Sequence, residues 1–180
     1  ISTGTQARDY NSVRSNKRRS EWWGGPDDDH DDEEGDVLVD VLDIELELLK
    51  HVSIGLEAVD RRSRSEARAA LGAFIDATRE TLRPELDRCG DGVCGTIREN
   101  SDGRVRRVRT ARDAVDDGDW TTAAAELAAV EEIVLRDIER LDDELEERRP
   151  GRPRFSDIIA YLRDEPTIGE RFTVCLPDAK

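Results

Sequence analysis

The stretch at residues 37–59, VLVDVLDIELELLKHVSIGLEAV, decides the fold, because it can be read in two periods. Leu42, Ile44, Leu46 and Leu48 alternate with Asp43, Glu45 and Glu47, which is the period of two expected of a half-buried strand. Leu38, Leu42, Leu49, Val52, Leu56 and Val59 instead fall on one helical stripe, with Glu45 in the remaining heptad slot. Length arbitrates: strands usually run about 4 to 8 residues, whereas this apolar pattern continues to Val59. The spacing predicts a long helix beginning near Asp36.

Downstream, Ser63 and Glu66 form a capping-box pair, in which hydroxyl and carboxylate satisfy orphan amides of the first helical turn. Ala67, Leu71, Phe74, Ile75, Thr78 and Leu82 then hold one face of a second helix, which Pro84 kinks or ends, with Leu86 prolonging the contact. Gly90, Gly92 and Gly95 predict a loop that Asp102 and Gly103 close. Val105, Val108, Arg112 and Val115 share a face of a third helix running to Asp117. Gly118 supplies the break, Asp119 an N-cap, and Trp120 opens a fourth helix. Its stripe is Leu127, Val130, Val134, Ile138, Leu141 and Leu145. The Gly118, Asp119, Trp120 corner resembles the tight turn of a helical-repeat hairpin such as a tetratricopeptide, but no second copy follows at a fixed period.

The expected fold is all-α: an antiparallel helical bundle of about four main helices at residues 36–149. It is preceded by a disordered tail at residues 1–35 and followed by a small appendage at residues 150–180. The tail is basic first (Arg8, Arg14, Lys17, Arg18, Arg19), passes through Trp22 and Trp23, and ends in an acidic run from Asp27 to Glu34 broken by His30. Basic residues followed by paired tryptophans also suit a membrane interface or an acidic partner. In the appendage, Ser156 is placed to cap a short helix carrying Ile158, Ile159, Tyr161 and Leu162, and residues 172–176 have strand-like composition.

Charge bears on function more than any motif does. The chain carries 43 acidic against 28 basic residues, a net −15, and its lysines are confined to Lys17, Lys50 and Lys180. The composition resembles that of proteins from extremely halophilic archaea. That resemblance implies a surface suited to brine, where a Debye length of about 3 Å at 1 M salt screens self-repulsion. Aromatics make up only 4% and methionine is absent, so the core must be built from small aliphatic residues. No stretch reaches the roughly 18 consecutive apolar residues of a membrane span. The chain opens on Ile1, as a processed or excised segment would, and membrane attachment is then expected through residues before Ile1.

Three constellations carry candidate chemistry. Cys89 and Cys94 flank a glycine-containing loop short enough for a disulfide. Unpaired thiols, or a metal set completed by Cys175 and His51, are the other readings, and neither of those two residues sits at a diagnostic spacing. Glu47 and His51 stand one turn apart, yet a di-iron bundle needs Glu-x-x-His motifs from two helices, so no metal or other cofactor is assigned. Arg104, Arg106, Arg107 and Arg109 form a candidate partner-binding face. Read alone they could track a phosphate backbone, but the acidic fourth helix (Glu131, Glu132, Asp137, Glu139, Asp142 and beyond) is a nearer partner and nucleic acid is disfavoured.

No nucleophile elbow, phosphate loop or zinc-protease signature is present, so the expected protein is not an enzyme. The leading expectation is a non-enzymatic interaction or structural module of a halophile, extracellular or attached to the cell surface, with a protein partner. The alternatives are a cytoplasmic regulatory bundle binding nucleic acid or an acidic protein through the arginine face, and a metal-binding bundle.

Overall fold

Seven helical segments follow one another along residues 33–163, the part of the chain that the computed structural model describes. They are α1 (Glu33–Asp60), α2 (Arg64–Ala77), a π-helical turn (Thr78–Leu82), α3 (Arg83–Arg88), α4 (Val93–Asp117), α5 (Trp120–Arg148) and α6 (Phe155–Arg163). No strand occurs among the described residues. Residues 1–32 of the tail expected at 1–35, the strand-like segment at 172–176 and Cys175 lie outside them, while Glu33, Glu34 and Gly35 are helical.

The fold is an all-α antiparallel bundle of four main helices. α1 packs on α2 and α5, and α4 packs on the same two, so α1 and α4 face each other across the diagonal. Short connections make each helix antiparallel to its neighbour in sequence. Closure of α5 on α1 brings Arg148 to Glu34 at 3.2 Å and Arg149 to Asp36 at 2.7 Å.

The ambiguity in α1 has a packing cause. Successive helical residues turn by about 100°, which throws Ile44 and Leu46 to opposite flanks of Glu45. Both are buried, as are Val37, Leu38, Val39, Val41, Leu42, Leu48, Leu49 and Val52. A helix buried over more than one face fills the gaps between stripe positions, and the result imitates strand alternation. The helix begins at Glu33, before the expected Asp36. Glu33, Glu34 and Asp36 lie in its first turn, where unpaired amides and the helix dipole favour carboxylates.

The two hairpin turns share one geometry. Gly118 takes the left-handed conformation (φ 77°), its N–H donating to Val115 O at 3.2 Å and that of Asp119 to Ala114 O at 2.8 Å. After α1, Arg62 takes the same position (φ 54°), with Arg62 N–H on Val59 O at 3.0 Å and Ser63 N–H on Ala58 O at 2.8 Å. Neither bond of the expected box at Ser63 and Glu66 is made. Ser63 is the N-cap, but its hydroxyl forms no capping bond, and Glu66 pairs with Arg61 at 2.8 Å. Ser63 N–H is already donated to Ala58 O, which leaves the Glu66 carboxylate to the guanidinium that the turn delivers.

Pro84 neither ends nor sharply interrupts the second helix. The wider π turn precedes it, and Pro84 sits in the first turn of α3, where its missing N–H leaves no backbone gap. Leu82 and Leu86 stay buried on the common face.

The glycine-rich region departs most from expectation. Only residues 89–92 form the connection, and α4 starts at Val93. Gly95, Asp102 and Gly103, expected in a loop, are helical. Each interior glycine costs about 1 kcal/mol against alanine, so this part of α4 is held by Cys94 and Ile97, both fully buried. Beyond α5, α6 starts one residue before the expected Ser156 cap. Its first-turn amide is satisfied from another helix: Ser156 N–H donates to Asp142 Oδ2 at 2.7 Å, and Asp142 is almost fully buried.

Candidate functional site

Seen as heptads, three helices each place one charged residue in a core slot. In α1, Glu45 stands between Leu42 and Leu49. In α4, Arg104 stands in the row Cys94, Ile97, Ser101, Arg104, Val108, Ala111, Val115. In α5, Asp137 stands in the row Leu127, Val130, Val134, Asp137, Leu141. Helical spacing therefore turns all three inward, and Glu45, Arg104 and Asp137 have 0% side-chain exposure.

They meet in one layer. Arg104 reaches across the bundle diagonal, its Nη1 donating to both Oε1 and Oε2 of Glu45 at 2.9 Å, while its Nη2 donates to Asp137 Oδ2. Asp137 accepts further bonds from Asn100 Nδ2, at 3.1 Å to Oδ1 and 3.3 Å to Oδ2, and from Arg140 Nη1 at 2.6 Å. The three buried charges leave one negative charge in excess, and the half-exposed Arg140 balances it. Arg104 Nε is buried without a hydrogen-bond partner.

Burial pushes the Glu45 carboxyl above the usual carboxylate range, because the Arg104 guanidinium offsets desolvation only in part and the Asp137 charge adds to it. Burial alone would pull Arg104 down. The Glu45 and Asp137 carboxylates outweigh that and hold it above the ordinary arginine value, so it stays charged.

A general acid or base must reach a substrate, and none of these three groups is exposed. Their chemistry is electrostatic anchoring: a buried polar contact in a core slot favours the one register in which its partners align. Sequence reasoning read Arg104 as part of an exposed face, and the structure corrects this, since Arg104 is the largest fully buried side chain among the described residues. The signal was present in the heptad slots. An unpaired Glu45 at the centre of an apolar stripe demands a cation.

Arg106, Arg107 and Arg109 are exposed on α4. Arg107 pairs with Glu126 of α5 at 3.1 Å, and the exposed face also carries Glu99, Asp102, Asp113 and Asp117. The structure thus separates Arg104 from the other three and flanks those with carboxylates. Cys89 and Cys94 do come together, as a disulfide joining the end of α3 to the first turn of α4. His51 Nε2 lies 3.6 Å from Glu47 Oε1. Among the described residues, no group of three or more His, Cys, Asp or Glu side chains could hold a metal ion. Among the same residues no helix is long and apolar enough to cross a membrane.

Comparison of the chain with protein-family models, with curated proteins and with solved structures finds no match in any of the three.

Proposed function

We propose that the protein is a non-enzymatic interaction or structural module of a halophile, exported or held at the cell surface, that engages a protein partner. The observation that carries this reading is the Glu45–Arg104–Asp137 layer. The most concentrated chemistry in the described bundle is turned inward, its three charged groups paired with one another at 0% exposure. Two further features support it. The Cys89–Cys94 bridge suits an oxidising compartment, and a net charge of −15 suits a salt-rich medium. An arginine face that tracks phosphates is less favoured, because Arg106 and Arg109 are flanked by Glu99 and Asp102 on one side and Asp113 and Asp117 on the other.

The test has two parts. Circular dichroism melting from low salt to molar potassium or sodium chloride should give a rising melting temperature. Mass spectrometry of protein taken from its native source, alkylated before lysis, should find Cys89 and Cys94 joined and the protein in the surface or extracellular fraction. A salt-independent melting temperature would count against the brine reading. Alkylated Cys89 and Cys94 in a cytoplasmic fraction would overturn the exported one.

A further inference from the structure

We infer that the Cys89–Cys94 bridge is a redox-sensitive clasp on the first turns of α4, and through them on the buried Glu45–Arg104–Asp137 layer. The start of α4 is the least self-sufficient part of the long helices. Its N-cap is Gly92 at φ +81°, no side chain caps it, and no acidic residue lies in its first turn. Gly95 and Gly103 lie inside it. Before Arg104 its buried side chains are Cys94, Ile97 and Ser101, whereas the rest of the helix is anchored by Val105, Val108, Ala111, Ala114 and Val115. What this segment lacks in capping and propensity the bridge supplies, by fixing Cys94 to the end of α3, whose Leu86 is fully buried.

The same segment carries the polar support of the core. Asn100 donates to Asp137, and Arg104 follows one turn later on the same row as Cys94 and Ile97. Both cysteines are buried, but Gly90, Asp91 and Gly92 between them are exposed, so thiol attack proceeds through opening of that loop. Two external thiols then leave as their own disulfide, and Cys89 and Cys94 become free thiols. The first turns of α4 loosen, Asn100 releases Asp137, and solvent reaches a charge layer that is fully buried in the fold. The coupling is a property of the chain and stands apart from the compartment in which it resides.

Amide hydrogen exchange on the full chain in molar salt, before and after phosphine reduction, reads this directly. Amides at 95–104 should exchange about 30-fold faster after reduction, which is the loss of about 2 kcal/mol for so short a loop at 1.4 kcal/mol per decade. Amides at 127–145 in α5, which open only with the whole chain, should speed up by no more than that factor, and the pair Cys89→Ser with Cys94→Ser should reproduce the reduced pattern. A Cβ at Gly95 or Gly103 would meet nothing within 4 Å. The pair Gly95→Ala with Gly103→Ala should therefore restore protection to the reduced protein. Unchanged exchange at 95–104, a larger rise in α5 than at 95–104, or failure of the alanines to restore protection would each overturn the clasp.

Discussion

Replacing Arg104 with Met removes the one cation of the buried layer and leaves both carboxylates in place. The two do not suffer equally. Asp137 keeps Arg140 at 2.6 Å and Asn100 at 3.1 Å, whereas Glu45 loses both of its 2.9 Å bonds from Nη1. Breaking a buried pair by removing one partner costs about 3–5 kcal/mol, and most of that loss should arise at Glu45. With no guanidinium to oppose burial, the Glu45 carboxyl rises further above its ordinary 4.5. A folded value raised above the unfolded one gives stability that is fully present below about 4.5 and is lost as pH rises through the folded value. The Arg104→Met protein should thus recover stability as pH is lowered from 7 towards 4.5. Adding Glu45→Leu, which completes the apolar row of α1, should recover at least half of the loss at pH 7 and remove that pH dependence. Urea unfolding at fixed molar salt, with midpoints and slopes compared across pH, measures all of this. If Arg104→Met alone lies within about 1 kcal/mol of the parent, or the double variant is no more stable than the single one, the buried layer does not hold the energy assigned to it.

Other expectations concern the bundle itself. Leu141→Ala or Leu127→Ala, at fully buried positions on α5, should cost about 2–5 kcal/mol, while Arg106→Ala on the exposed face should cost under about 0.5 kcal/mol in the same denaturant assay. Gly55→Ala should be neutral or stabilise by up to about 1 kcal/mol, because a Cβ there would meet Leu127 and Leu71 at an ordinary 3.5 Å; a clear loss of stability would mean that α1 cannot approach its neighbours with a methyl group in between. Asp119 accepts from the Thr122 hydroxyl at 2.6 Å and from Thr122 N–H at 3.1 Å, and these bonds hold its carboxyl below the ordinary value. Asp119→Ala should cost about 0.5–2 kcal/mol by thermal melting.

What the sequence determined by itself is the set of features settled within a turn or two of chain. Gly118, Asp119 and Trp120 mark the hairpin because their hydrogen bonds close within five residues, on Ala114, Val115 and Thr122. The stripe of α5 follows from helical spacing, and the nearness of Cys89 and Cys94 from the five positions separating them. Tertiary structure decided the rest. Glu45 finds its cation 59 positions away and Arg104 finds Asp137 33 positions away, distances at which spacing cannot choose among many arginines. The start of α4 opposes its own local propensity, since a bridge and two buried side chains override two glycines. Asp142 caps a helix that begins thirteen residues beyond it, displacing the nearer Ser156 hydroxyl. In each case the deciding partner is brought near only by the folded bundle, because burial makes an unmatched charge or amide too costly to leave alone.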